Sequence, residues 1–426
     1  MPATTAGPSI RRPRRAASAS LYAAGFTTAF GAHSIAANLG GYAKGWHESL
    51  LALGVLLALY DGAGVLLKPV FGALADRIGP RPVLLGGLAV FAAVFSAVFS
   101  AVGDPALVGV ARFGQGAAAS ALSPAAGALI ARLNPSARQG RAFGGYGLYK
   151  SLGYAAGPLL GGVLVAAGGL RLLFAVLAVF AAAVAGWAAV AVPTVAPQPR
   201  ARQTVLDLAR RLSSRPFLAP VTGLAAATAA LAAGVGFLPV RGAAAGLGPV
   251  ATGAAVSLLA VVTAIAQPLA GRARDAGRLP DAPGMAAGLV LAAAGLACAA
   301  LLPGLAGLLP AALLARIGVG AVTPLGFAAL AASAPPGRLG QTMGSAEVGR
   351  ELGDAGGPVL VGAFGLISLT AGFGALAAAL MVCAALIAPR NRKSPPIPDR
   401  NPMSTAPATQ HSQAEGEGRA DGRLTN

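Results

Sequence analysis

The stretch GGYGLYKSLGYAAGPLLGG at residues 144–162 decides the fold, because a second version of it, GSAEVGRELGDAGGPVLVG, stands at residues 344–362. Similarity at nearly the same offset extends towards the N-terminus of each copy. Chance matches among abundant glycines would not keep a nearly constant displacement over three separate regions, so the chain contains two copies of one unit. The paired positions are Pro69, Gly72 and Asp76 with Pro268, Gly271 and Asp275; Arg112 and Gly116 with Arg316 and Gly320; Pro135, Arg138 and Gly140 with Pro335, Arg338 and Gly340; and Gly144, Gly153, Gly157, Pro158 and Gly162 with Gly344, Gly353, Gly357, Pro358 and Gly362.

The composition indicates that lipid is the solvent for most of the chain, since 55% of the residues are hydrophobic, 11% are charged and the mean hydropathy is +0.69. A run such as 83–102 is apolar on nearly every face, which argues against the alternating pattern of an outer-membrane strand. Only helices satisfy their own backbone in lipid at this length. Apolar segments of about 20 residues therefore predict an all-α membrane protein with twelve transmembrane helices, at 20–42, 49–72, 83–102, 106–131, 143–167, 172–193, 217–240, 247–271, 283–303, 306–331, 341–365 and 368–389.

The net charge of +18 is distributed in the way typical of membrane topology. Most of the 32 Lys and Arg lie in the N-terminal segment, in alternate loops and after residue 389, whereas the opposite loops hold Lys44, Arg171 and Arg241. The positive-inside rule then places both termini in the cytoplasm, and the basic charge encodes orientation rather than a nucleic-acid partner. The first apolar run is about 23 residues long and further spans follow it, so we interpret it as an uncleaved helix.

The polar segment 194–216 divides the helical region near its middle. Its part from 203 to 212 has the pattern of a short amphipathic helix on the membrane surface. The polar ends of the chain are predicted to be disordered. The predicted units are the N-terminal tail at 1–19, a six-helix bundle at 20–193, a cytoplasmic linker at 194–216, a second six-helix bundle at 217–389 and the C-terminal tail at 390–426.

The residues at the end of the second predicted helix, GALADRIGPR (72–81), resemble a signature loop of the major facilitator superfamily. Gly72 allows close helix contact, Gly79 permits a sharp turn, and Asp76 can accept hydrogen bonds from a helix N-terminus or an arginine. The resemblance implies two pseudo-symmetric six-helix halves and a latch that breaks and reforms in each transport cycle; an ordinary solvated turn is the alternative. Pro80 replaces a basic residue usual in the family, and the second copy of the loop is degenerate. The predicted gating residues are Gly72, Asp76, Arg77, Gly79 and Arg81.

Two further motifs carry the same resemblance. RFGQGAA (112–118) is similar to the family's helix 4 motif, which the family links to proton transfer. An arginine in hydrocarbon needs a partner or water, so Arg112 should point inward; a structural tie to a carbonyl is the alternative. Residues 144–162 match the antiporter motif, which implies export, and its glycines allow close helix contact while Pro158 bends the helix. The motif consists of Gly144, Gly153, Gly157, Pro158, Gly161 and Gly162.

Charged residues inside the predicted spans nearly balance in sign, which indicates paired networks around a wet cavity. At about 100° per residue, the charged residues of the eleventh span share one face. We hypothesise that Asp61 and one acid of that span carry the proton, with basic residues as switching partners or substrate contacts; a static salt bridge is the alternative for each acid. His33 as a relay and Tyr149 in the substrate path are further candidates, with packing roles as their alternatives. The charged residues are Asp61, Glu347, Glu351, Asp354, Lys68, Arg112, Lys150, Arg316 and Arg350.

These features predict a proton-coupled exporter of small organic molecules, drugs or metabolites, that works by alternating access. A major facilitator importer or symporter is the alternative; a membrane enzyme and a non-transporting sensor are the other classes. No phosphate-binding loop of an ATPase is present, and no residue cluster suggests a metal, a cofactor or catalysis; Cys298 and Cys383 are interpreted as packing residues. The expected partners are a substrate, protons and the lipid of a bacterial inner membrane, with the chain as a monomer.

Overall fold

In lipid, backbone polar groups have to be satisfied within each segment, and in the computed structural model the described residues form a series of helices. The structure describes residues 11–43, 50–100, 105–199, 205–244, 246 and 249–389. Six helical segments of this described part are long and apolar enough to cross a bilayer. One of them, Ser136–Ala191, has 56 residues, which is enough for two crossings.

The helices fall into two sets of six membrane spans. The fifth helix provides two spans because it breaks at Gly168 and Gly169, where Gly169 has a positive φ of 67°. The first half comprises α1 (Arg11–Ala43), α2 (Leu50–Ile78), α3 (Pro80–Ser100), α4 (Pro105–Leu133), a 3-10 turn (Ser136–Arg138) and α5 (Gln139–Ala191). After the short helix α6 (Val205–Leu212), the second half comprises α7 (Arg215–Ala244), α8 (Pro249–Asp275), α9 (Asp281–Leu301), α10 (Gly304–Ser333), α11 (Leu339–Gly365) and α12 (Leu369–Ile387).

The predicted fold class, twelve transmembrane helices in two pseudo-symmetric halves, is confirmed. The predicted short helix within 203–212 appears as α6. The first helix differs from the prediction, because α1 begins at Arg11, inside the segment 1–19 that was expected to be disordered. Residues 1–10 and 390–426, which carry the rest of that expectation, lie outside the described residues.

One hydrophobic cluster contains residues of both halves. Leu129 of α4 and Phe143 of α5 belong to it together with Phe327 of α10 and Met343 of α11. The rings of Phe143 and Phe327 are stacked with their centroids 5.7 Å apart. The two halves therefore bury apolar surface against each other near the start of α5 and α11, and this contact sets the geometry of the site.

The glycines of the duplicated motif pack in the same way in each half. A Cβ atom on Gly153 would lie 2.7 Å from the carbonyl oxygen of Phe26 in α1, and one on Gly353 would clash with the carbonyl oxygen of Ala225 in α7. Close approach of helix backbones needs small residues at the contact. At these positions the motif forms a surface for close helix contact in both halves.

Replacing Gly153 by alanine is expected to destabilise the fold by about 1–3 kcal/mol, because the added methyl group would overpack the α1–α5 contact. Thermal unfolding of the purified protein in detergent measures this loss. Gly186→Ala, in the same helix, is the matched control: its added Cβ would meet no atom within 4 Å, so it should be neutral or slightly stabilising. Equal unfolding temperatures for the two variants would contradict the assignment.

Candidate functional site

The site begins at the charged end of the molecule, which we define as the end where α2, α4, α8 and α10 finish and α3, α5, α9 and α11 start. Here the Asp76 carboxylate accepts hydrogen bonds from the backbone N–H groups of Gly340 (2.7 Å) and Gln341 (2.8 Å). These groups belong to the first turn of α11, where N–H groups lack intrahelical acceptors and the helix dipole favours an anion. This contact, the first latch, joins the two halves.

The second half repeats the contact in the opposite direction. The Asp275 carboxylate, at the end of α8, accepts hydrogen bonds from the backbone N–H groups of Gly140 (2.9 Å) and Arg141 (2.8 Å) in the first turn of α5. The second loop is degenerate in sequence but still makes this contact, the second latch. The signal was present in the sequence, since Asp275 stands at the repeat offset from Asp76.

The turns beside the two latches also correspond. Gly79 has a φ of 95° and Gly277 a φ of 72°, a conformation that favours glycine. The Arg274 guanidinium donates to Asp281 at 2.6 Å and lies 3.6 Å from Asp275. Burial would lower the pKa of Arg274, but the hydrogen bonds and charges of these two carboxylates raise it overall, so this cation braces the second latch.

The other predicted gating residues have distinct positions. Gly72 lies against the backbone of Gly340, so the ends of α2 and α11 are in direct contact. Arg81 donates to the side chain of Thr194 (3.0 Å) and the carbonyl oxygen of Ala189 (2.6 Å), which ties the loop to the last span of the first half. Arg77 is exposed, and no ion pair within the described part of the chain involves it.

Asp76→Asn and Asp275→Asn are each expected to favour opening of the charged end by about 1.5–3 kcal/mol, the contribution of a hydrogen bond to a charged group. Spin labels on Pro82→Cys and Ala332→Cys, exposed positions of the two halves, report the opening once Cys298 and Cys383 are replaced by alanine. Similar shifts to longer distances are expected. No shift for Asp275→Asn would show that only the first latch matters.

Further into the bundle, three charged residues form ion pairs across the two halves. The buried Lys68 ammonium of α2 lies 3.2 Å from Glu347 and also contacts Glu351, both on α11. Arg350 donates to Glu347 at 3.2 Å. Glu347 and Glu351 are therefore paired carboxylates, as the static alternative anticipated, and Lys68 joins α2 to α11.

The equivalent position between α5 and α8 carries a neutral hydrogen bond. Gln267 occupies the repeat position of Lys68, and its amide donates to the Ser151 hydroxyl at 2.8 Å. Ser151 in turn is the counterpart of Glu351. Neither Gln267 nor Ser151 was identified from the sequence, although the repeat offset pairs them with charged residues. One helix–helix contact between the halves is thus charged and the other is not.

Two acids inside the bundle stand apart from these pairs. Asp61 of α2 and Asp354 of α11 are exposed, and neither has a Lys or Arg nitrogen within 4 Å in the described part of the chain. Asp61 lies within electrostatic range of Asp354 and Glu351 and also of Arg112 in α4. The two carboxylates therefore lie in a region where charged groups of α2, α4 and α11 converge, on helices of both halves.

The remaining predicted residues divide between the interior of the bundle and the charged end. The Arg112 side chain is buried, donates to Gln115 at 2.6 Å and lies over the Tyr60 ring at 4.9 Å, so it points into the bundle as expected. Three other candidates lie on α1 and α5. The His33 and Tyr154 rings are tilted at 50° to each other with their centroids 4.3 Å apart. Lys150 lies 5.8 Å from the Tyr146 ring, and Tyr149 packs on Tyr22 at the charged end with ring centroids 5.5 Å apart.

The helix 5 motif contributes to both regions. Gly144 faces α8, where an added Cβ would lie 2.6 Å from the Gln267 carbonyl oxygen. Gly157 faces α1, with His33 and Ser34 at 3.0 Å from an added Cβ. Gly161 is buried, Gly162 is half-buried and Pro158 lies within the helix. The motif therefore holds α1 close to α5 and the start of α5 close to the second half.

Comparisons with known proteins agree with this architecture. The family model described as Major Facilitator Superfamily matches residues 21–279 and 237–414. Multidrug resistance protein MdtG of Escherichia coli is 34% identical over 125 residues, so the match spans 29% of this chain and 30% of the relative. The crystal structure of the human organic anion transporter MFSD10 (TETRAN) has a TM-score of 0.72 at 18% identity and covers 89% of this chain and 100% of its own. A crystal structure of the E. coli fucose:proton symporter FucP has a TM-score of 0.73 at 15% identity, and the match covers 87% of this chain and 97% of that one.

Proposed function

The chain belongs to the Major Facilitator Superfamily, and from that premise we propose that it is a secondary transporter that exports small organic molecules in exchange for protons. It is a multi-pass membrane protein with substrate transport as its general role. The protein lies in a bacterial inner membrane with the charged end and both termini in the cytoplasm, and protons are the coupling ion.

The observation that carries the proposal is the pair Asp61 and Asp354. They stand on facing helices of different halves, without an ion-pair partner in the described part of the chain, within electrostatic range of each other. A carboxylate of this kind inside a membrane protein is expensive unless it binds a cation or a proton. Loading and unloading of protons at Asp61 and Asp354 changes the charge between the halves.

The paired residues supply the conformational part of the cycle. Lys68 and its two glutamates, together with the two latches, hold the halves together at the charged end. Protons that enter from the opposite side neutralise Asp61 and Asp354. Their loss of charge alters the field on Arg112 and Lys68, which act on Asp61, and favours separation of the latches. Substrate then enters from the cytoplasm as the protons leave.

Export rather than import is supported by two features. The helix 5 motif at 144–162 resembles the antiporter motif of the family's exporters, and the sequence relative is named for multidrug resistance. That relative aligns over less than a third of either chain. An importer or symporter that uses the same carboxylates is the alternative, and a measurement of direction separates the two.

Inverted membrane vesicles from a host without its own drug pumps give that measurement. With an acidic interior, vesicles that contain the chain should accumulate dyes or drugs from a panel of cations, anions and neutral compounds, and a protonophore should abolish the accumulation. Asp76→Asn is the control for latch-dependent cycling. Accumulation only under the opposite gradient would establish the importer, and drug susceptibility of intact cells provides an independent check.

A further inference from the structure

A cavity of about 870 Å³ lies at the charged end, away from Asp61 and Asp354. It is bordered by the start of α1, the turn after α4, the start of α5 and the end of α8. No role in the proposed transport cycle accounts for this space. Its volume is in the range of sites that bind small molecules.

Four guanidinium groups line this cavity, from Arg15, Arg138, Arg141 and Arg272. Within the described part of the chain, none of them has a carboxylate within 4 Å. The lining carboxylate, Asp275, is already engaged by backbone N–H groups of α5. Four guanidinium groups against the one carboxylate in the lining leave the cavity with an excess of positive charge, and arginine is suited to bidentate binding of phosphate.

The other walls are aromatic and apolar. Tyr22 and Tyr149 pack on each other with ring centroids 5.5 Å apart, and Leu133 lines the space beside them. A tyrosine that is apolar on its face and polar at its tip is suited to the boundary between lipid and water. The combination of arginines and tyrosines fits a phosphate group attached to an apolar body.

The cavity is built by both halves of the protein. Arg272 and Asp275 belong to the second half, while the other arginines belong to the first. The second latch, between Asp275 and the start of α5, joins the two walls. Separation of the halves at the charged end would move Arg272 away from Arg138 and Arg141 and dismantle the site. A ligand held by all of these groups must bind the closed form more tightly and so favour it.

We propose that this cavity binds a phosphate-bearing anion, for which the anionic headgroups of the surrounding bilayer are the nearest source, and that the bound anion holds the charged end closed. Clusters of basic residues at a membrane surface attract anionic lipids. The binding part does not depend on the proposed export of substrates. The conformational part rests on alternating access.

The test uses the full-length protein in nanodiscs of phosphatidylcholine, with or without phosphatidylglycerol, and the spin-label pair on Pro82→Cys and Ala332→Cys. Phosphatidylglycerol should raise the ratio of closed to open charged ends about fivefold or more. A fivefold change corresponds to the low end of the coupling free energies usual between two sites. The variant Arg138→Ala/Arg272→Ala should lose this response. Arg278→Ala, which removes an exposed arginine of the same end outside the cavity, should retain it.

Soluble sn-glycerol 3-phosphate, added to phosphatidylcholine nanodiscs, identifies the source. A response to it that needs Arg138 and Arg272 supports the site with a soluble ligand; a response only to phosphatidylglycerol supports the lipid. Thermal stabilisation in detergent by either compound measures binding without substrate or proton gradient, so it separates this inference from the transport proposal. Should the double variant fold poorly, Arg138→Lys/Arg272→Lys and Arg272→Gln replace it. No response to either compound, or an equal loss in Arg278→Ala, would overturn the inference.

Discussion

Asp61→Asn is expected to abolish proton-driven accumulation of substrate while exchange of substrate across the membrane continues. The amide keeps the size of the side chain but cannot bind and release a proton, so the gradient no longer drives net movement. A driving force of about 100 mV is worth about 2.3 kcal/mol per proton, or about 50-fold accumulation. In the variant this ratio should fall to about one.

Two transport assays on the same reconstituted protein check this result. Uptake driven by an imposed pH gradient should be lost, whereas counterflow of labelled against unlabelled substrate should persist. Asp354→Asn is expected to behave in the same way, because it faces Asp61 from the other half. Asp207→Asn, an exposed carboxylate on α6, is the control and should keep both activities. Gradient-driven uptake in both Asp61→Asn and Asp354→Asn would remove the pair from the mechanism.

Lys68→Gln is expected to open the charged end and to lower the stability of the protein. The substitution leaves Glu347 and Glu351 without their shared ammonium group, and Lys68 and Glu347 are buried. Removal of one partner from a buried ion pair costs about 3–5 kcal/mol. Because the pair crosses the halves, the cost falls on the closed form, and the ratio of closed to open molecules should drop by more than about 100-fold. The spin-label pair at the charged end measures the ratio.

The other interface between the halves suggests the rescue. Lys68→Gln combined with Glu351→Ser reproduces the Gln267–Ser151 hydrogen bond in place of the ion pair, with Glu347 still held by Arg350. The double variant should recover a substantial part of the closed population, and Lys68→Arg should recover more because it keeps the charge. A closed population in Lys68→Gln equal to that of the unmodified protein would mean that the ion pair does not hold the halves together.

Several features of the fold could be predicted because their causes are local. Long apolar runs predicted the spans, and the offset between the copies predicted two similar halves. The break at Gly168 and Gly169 fell between two predicted helices as expected. Asp76 could be predicted to accept hydrogen bonds from a helix N-terminus, because an aspartate carboxylate beside a helix end is suited to that contact. The start of α1 at Arg11 could not be predicted from hydropathy, because the polar residues before the span do not form an apolar run.

The candidate site could be predicted only in part from the sequence. The list of charged residues within the spans was available from the sequence, and the structure places Lys68, Glu347, Arg350 and Glu351 in one network. The sequence did not reveal which acids would be paired. The repeat offset pairs Asp275 with Asp76, but the residues around Asp275 differ from the first copy and do not predict its contact. The contact depends on its carboxylate and on the helix N-terminus that packs against it.

The linear sequence contains the residue types, the spacing of the apolar segments and the duplication. These were enough to predict a twelve-helix transporter with acids inside its membrane region. The pairing of those acids depends on distances between residues as far apart as Lys68 and Glu351, separated by 283 positions. Such distances arise when glycine backbones such as Gly72 and Gly340 come into direct contact and bring α2 against α11. Only the packed halves therefore distinguish the acids held by a cation from Asp61 and Asp354, because Coulomb attraction depends on separation in space.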